Sequence, residues 1–171
     1  MLYVLPEELL KFTSSIQLNR PVFYYTVSKY KINHAIEKQT KIDIYDRYMS
    51  SKKLRGNWVF AKDIHHVSVL GNTDLVTFKE FVLTFLHELA HCYQYESGEV
   101  YEDGNLPWRE RPSEIVADRR AEFWYNRIMI LNSNTIKERR VNISDIEECM
   151  CISININWKG ISCQKRKIFT Q

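Results

Sequence analysis

No stretch of this 171-residue chain approaches the ~20 apolar residues that span a bilayer, so no membrane-spanning helix is expected. The first ten residues lack a basic start, and Pro6, Glu7 and Glu8 interrupt their apolar positions, so no secretory leader is expected either. Cysteine is sparse: Cys92, Cys149, Cys151 and Cys163 are too few for a disulfide scaffold. Together these absences point to a soluble protein of a reducing, cytoplasmic compartment. The excess of one sign of charge is small too. A net charge of +3 gives no strong basic stripe, which argues against a dedicated nucleic-acid binder. There are no internal repeats. Histidine occurs five times, and none follows His91.

What is present is enough for a packed core. The chain is 44% hydrophobic and 13% aromatic, which disordered segments are not. Pro6 to Leu18 mixes apolar and charged positions as a helix does. Val22 to Tyr30 alternates and is rich in Val, Tyr and Phe, predicting a strand. Asn57 to Leu70 predicts one or two short strands stopped by Gly71-Asn72. The strongest helix signal lies between Thr73 and Tyr95. Thr77 and Glu80 have capping-box spacing, apolar residues from Phe78 to Leu89 recur at three- and four-residue steps, and Ser97-Gly98 supplies a stop. Glu99 to Trp108 reads as a loop. Pro112 suits the first turn of a second helix running to about Leu131. Residues from Asn132 onward are polar, then β-like from Cys151 to Trp158.

The chemistry is carried by His87-Glu88-Leu89-Ala90-His91, an H-E-x-x-H pattern. On a helix, positions i and i+4 share a face, so both imidazoles can reach one metal ion. Glu88, beside the first ligand, can point at a zinc-activated water and act as general base. The plainer alternative is a pair of partly buried helix histidines. A catalytic zinc takes three protein ligands. Because no histidine follows His91, a downstream third ligand must be a carboxylate, which excludes the longer pattern with a third histidine.

At 100° per residue, Ala117, Ala121, Trp124, Tyr125, Ile128 and Met129 share one broad face of the second helix, and Glu114 and Asp118 fall within it. Carboxylates on a core-facing stripe are costly unless paired or bound to metal. Glu114 as ligand and Asp118 as acceptor of a ligand histidine's N–H satisfies both. Glu114 also suits the dipole at the start of a helix, but that reading leaves Asp118 unexplained.

HELAH followed by Glu114-Ile-Val-Ala-Asp118 resembles the Glu-zincin metallopeptidases, in which an H-E-x-x-H helix meets a helix bearing E-x-x-x-D. SEIVADRRAEF is also similar to the E-x-E-A-D-x-F-A segment of small peptidases of the ImmA/IrrE type, with Val116 in place of their second acid. The resemblance covers residues 64 to 125. It implies that His87, His91 and Glu114 bind one zinc ion, that Glu88 is the base, and that Asp118 orients His87. It also implies that Ile64 to Leu70 is the edge strand along which an extended substrate pairs.

Other positions carry weaker signals. His65 and His66 are adjacent on a strand and face opposite sides. They read as a surface pair, the alternative being that one lines the cleft and polarises a carbonyl. Tyr93, Tyr95 and Tyr101 are candidate oxyanion donors or substrate contacts. Cys92 reads as a packed core residue. Cys149, Cys151 and Cys163 lack an evident fourth zinc ligand. Arg109, Arg111, Arg119 and Arg120 read as a solvated face. The expected fold is α+β and zincin-like: a small twisted sheet with an edge strand beside the HELAH helix, and a second helix carrying the third ligand. The expected domain spans 1–131, followed by an extension over 132–171. The expected activity is zinc-dependent hydrolysis of peptide bonds in a protein or peptide substrate. The alternatives are a zinc-stapled module without catalysis, or a small-amide hydrolase.

Overall fold

The structure is a computed structural model that describes residues 1–27, 55–132, 136–142, 154–157 and 160–162. Its elements in chain order are β1 (Leu2–Val4), α1 (Glu7–Ser15), β2 (Val22–Val27), β3 (Gly56–Ala61), β4 (Ile64–Leu70), α2 (Phe78–Glu96), α3 (Pro112–Leu131), β5 (Arg139–Val141), β6 (Ile154–Asn157) and β7 (Gly160–Ser162). A single 3-10 turn at Trp108–Glu110 precedes α3. The class is α+β. A five-stranded sheet runs in the order β3-β4-β2-β6-β7, and β1 pairs with β5 in a second, two-stranded sheet. Among the described residues only β2 and β4 pair in parallel; the other pairs are antiparallel. The segment after residue 131 supplies β5, which pairs with β1, β6, which pairs with β2, and β7, which pairs with β6.

The local code explains why α2 forms where it does. Thr77 Oγ1 accepts from the Glu80 backbone N–H at 3.3 Å, and Glu80 Oε2 accepts from the Thr77 N–H at 2.8 Å, a reciprocal cap. Phe81, Val82, Phe85, Leu86 and Leu89 then bury one stripe against Tyr24, Val67 and Val69 of the sheet. Tyr24 and Phe85 meet edge-on with centroids 5.1 Å apart. The helix ends at Gly98, whose φ of +68° is left-handed and free of Cβ strain. On α3, Ala117, Ala121 and Ile128 are the buried positions, and small Ala117 and Ala121 let it lie close against α2.

One expectation is corrected by the sheet. Ile64–Leu70 is an interior strand, and the edge beside α2 is β3. Lys62 and Asp63 both adopt positive φ, 51° and 57°, the geometry of a two-residue hairpin turn. That turn folds 56–61 onto the outside of β4, whose other side is taken by β2. Cys149, Cys151 and Cys163 lie outside the described residues.

Candidate metal centre

His87 and His91 lie one turn apart on α2, late in the helix, where α3 crosses with Glu114 in its first turn. Their ring nitrogens converge. His87 Nε2 is 3.1 Å from His91 Nε2, and Glu114 Oε2 is 3.1 Å from the first and 3.4 Å from the second. These three atoms form the group of metal-binding geometry found among the described residues.

The outer ring nitrogens decide what the inner ones carry. His87 Nδ1 donates to Asp118 Oδ1 at 2.7 Å. His91 Nδ1 donates to Gln94 Oε1 at 2.8 Å, and the Gln94 amide is oriented by its own donation to Ser113 O at 2.9 Å. In neutral rings both Nε2 atoms are therefore bare acceptors. Two lone pairs and a carboxylate oxygen facing one another at these distances repel unless a cation sits among them. The donor set of two imidazoles and a carboxylate suits zinc.

In the metal-free chain protons take the cation's part. Burial disfavours charge on His87, yet the carboxylates of Asp118 and Glu114 outweigh it and hold its pKa at about 10. Burial likewise opposes, and Glu114 overcomes, the charging of His91, whose pKa is also raised. Glu114 is pulled down to about 2, against burial, by hydrogen bonds from the two rings.

Glu88 is buried between the helix and the edge strand. Burial pushes its pKa up, while the neighbouring histidines pull the other way. Its carboxylate lies against Gly56 of β3. A Cβ at that glycine would fall 2.5 Å from Glu88 Oε1 and 2.6 Å from Thr84 Cγ2. Gly56→Ala should therefore displace Glu88 without touching a ligand. The expected result is unchanged zinc content and a loss of hydrolysis of up to about 100-fold, the scale set by ångström misplacement. An unaffected rate on a confirmed substrate would show that Glu88 does not need this space.

A cleft runs past the site as two cavities of about 410 and 1060 Å³ that share Gly56, His87, Glu88, Trp108 and Arg111. Trp58 and Trp108 bracket the histidines: the indole of Trp58 lies over His91 with centroids 6.0 Å apart, and that of Trp108 lies 6.2 Å from His87. No protein-family model, curated protein or solved structure matches this chain.

Three expectations are corrected here. His65 and His66 are not a surface pair; both are buried, and neither is among the residues lining the two cavities. They do face opposite sides. His65 Nδ1 accepts from the Trp58 indole N–H at 3.0 Å, which leaves its Nε2–H to donate to Glu96 Oε1 at 2.9 Å. Burial lowers its pKa, so the ring is a neutral prop for Trp58. His66 bonds the Tyr25 hydroxyl at 3.1 Å on the other face. Tyr93 is not in the cleft: its ring packs edge-on to Trp124, 6.2 Å away, beneath the Arg120 guanidinium. Arg120 is not solvated but pairs with Glu99 at 2.9 Å. Tyr95 does line the smaller cavity, its ring tilted against that of Phe60 with centroids 4.4 Å apart, and Tyr101 lines it too, donating to Glu99. Cys92 is fully buried, its thiol donating to the Glu88 carbonyl at 3.4 Å.

Gln94, Gly56 and Trp58 were not expected as site residues. Gln94 had a local signal: it sits three residues after His91, hence on the same side of the helix. Gly56 and Trp58 had none, because their roles depend on which strand lies at the edge.

Asp118 is expected to act on the metal through His87 alone. Asp118→Asn should weaken zinc binding by about 10-fold, the low end of the usual 10–100-fold range. The low end is chosen because the Asp118 side chain is 70% exposed, so water can partly replace it. Competition with a chromophoric chelator measures this; unchanged affinity would show that the 2.7 Å contact does not hold the ring for zinc.

Proposed function

We propose that this chain is a zinc-dependent metallopeptidase of the zincin kind, binding one zinc per chain and hydrolysing peptide bonds of a protein or peptide substrate. The observation that carries the reading is the convergence of two imidazole nitrogens and a carboxylate oxygen on one point, next to a buried carboxylate. His87, His91 and Glu114 would hold a zinc ion, which would supply Lewis-acid polarisation of a carbonyl and lower the pKa of water toward 7. Glu88 takes the proton from the attacking water and passes it to the leaving amine. Its burial supports that role, since a raised pKa suits a base that must also give the proton back. Asp118 and Gln94 fix the tautomers of the two histidines so that both Nε2 lone pairs point inward. Among the described residues β3 is paired on one side only, and its Gly56, Asn57 and Trp58 line the cleft. An extended substrate can add there by main-chain hydrogen bonds. Glu88 also separates this reading from a zinc-stapled module, which has no use for a buried acid beside its metal. Among the described residues no helix is long and apolar enough to cross a membrane; the reading places the substrate in the reducing, cytoplasmic setting expected from the sequence.

The test is zinc-loaded protein on unfolded casein. Cleavage should appear with about one zinc per chain, cease on chelation and return on zinc addition. Failure to take up zinc at all would overturn the reading.

A further inference from the structure

The smaller cavity is lined by four acids. Glu88 and Glu114 belong to the metal centre, Glu99 is engaged by Arg120 and Tyr101, and Asp103 accepts from the backbone N–H and hydroxyl of Ser113. Each negative charge there has a partner or a task. The cation in the same wall does not. Arg111 lines both cavities, and no carboxylate among the described residues lies within ion-pair distance of it, whereas Arg20, Arg55, Arg120 and Arg140 each have one.

Arg111 is also held in place. Its Nε–H donates to the Leu106 carbonyl at 3.1 Å, which spends one N–H and leaves the two terminal amino groups. Its backbone is pinned between the 3-10 turn and Pro112, with its N–H on Trp108 O and its carbonyl accepting from Glu114 N at 3.1 Å. Three residues of helix separate it from Glu114, about 4.5 Å along the axis. A substrate residue spans about 3.3–3.6 Å, so the guanidinium is within reach of groups one or two residues from the scissile bond. A planar guanidinium with two free N–H faces matches a carboxylate in bidentate fashion.

Resting on the peptidase reading of this site, we propose that Arg111 is the specificity-determining residue of the cleft and seats a carboxylate of the peptide substrate within one or two residues of the bond to be cut. A peptide offers that group from two sources, its terminal carboxylate or an Asp or Glu side chain, and the same guanidinium recognises both.

The experiment measures binding, so that it does not depend on turnover. Zinc-loaded Glu88→Gln protein, which retains the ligands, is titrated calorimetrically with three probes: N-acetyl-dialanine as the free acid, the same compound as its amide, and an N-acetyl dipeptide amide carrying one glutamate. The same titrations are run in the Arg111→Gln and Arg111→Lys backgrounds, with zinc content measured in every sample. The free acid should bind about tenfold or more tighter than the amide, the scale of a charge-assisted hydrogen bond. Arg111→Gln should erase that preference and Arg111→Lys should keep part of it. Tight binding of the glutamate amide, lost in Arg111→Gln, assigns the seat to a side-chain carboxylate; weak binding assigns it to the chain terminus; both uphold the clamp. A preference that survives Arg111→Gln shows the carboxylate seated elsewhere, on the zinc for example, and overturns the proposal. So does equal binding of all three probes. Zinc content near zero would instead mark failure of the metallopeptidase reading.

Discussion

Glu88→Gln is expected to lose about 10²- to 10⁴-fold of the hydrolytic rate, the usual contribution of a positioned base, while holding as much zinc as the parent. The substitution keeps the size of a side chain that is only 7% exposed and wedged against Gly56, so packing of the edge strand on α2 should persist. It removes the one property the reaction needs, a carboxylate that can accept a proton and return it. The three converging atoms belong to His87, His91 and Glu114, so the metal should not notice. Zinc content, thermal midpoint and rate on a confirmed substrate are measured together. Loss of zinc along with rate would mean that Glu88 is a ligand, and an undiminished rate would mean that another group is the base.

Zinc should also raise the thermal midpoint markedly, because the three converging donors exist only in the folded chain and binding there favours it over the unfolded one. At a free zinc concentration 1,000 times the dissociation constant, linkage gives about 4 kcal/mol. For a chain of this size each kcal/mol shifts the midpoint by about 2–4 °C, so a rise of roughly 8–16 °C is expected. His91→Ala should abolish most of it, since two donors remain. The gain should depend on pH with a definite sign. His87 has its folded pKa raised from 6.5 to about 10. Its protonated form thus stabilises the metal-free fold fully below pH 6.5, and that contribution fades as pH rises through 10. The same proton competes with zinc for Nε2. Both effects make the zinc-induced rise larger at pH 8.5 than at pH 6. Scanning calorimetry with and without zinc at the two pH values checks this; a rise that is larger at the lower pH would show that the ring is not the competing group.

The parts of this site that could be read in the sequence are those whose geometry is local. Thr77 and Glu80 mark the start of α2 because a capping box is closed within four residues. His87 and His91 share a face because a helix turn is 3.6 residues, and Glu114 and Asp118 follow by the same arithmetic. Even here the helical wheel was imperfect. It placed both acids on a core-facing stripe, whereas Glu114 is 13% exposed and Asp118 70%, so the stripe's border falls between them. What could not be read is what distant segments do to each other. Strand alternation put His65 and His66 on opposite faces, but it could not reveal that Trp58 and Glu96 would enclose the first of them. Hydrophobic patterning gave β4 a strand's character without giving its neighbours. The hairpin turn at Lys62-Asp63 was the missing fact, and Lys-Asp carries no glycine or asparagine to announce a positive-φ turn.

The pairings that close the two sheets bear on how the chain acquires its shape. His87 to Asp118 form a helix–loop–helix whose contacts are near in sequence, while Leu2 pairs with Val141 and Val22 with Ile156 across almost the whole chain. Local hairpins form quickly, whereas pairings with large loop-closure entropy form late. The helix pair and the β3–β4 hairpin that carries Gly56 can therefore meet early, while β5, β6 and β7 wait for residues beyond 138. During synthesis from the N-terminus, a nascent chain can gather the candidate metal site and the walls of its cleft before the last strands close the two sheets.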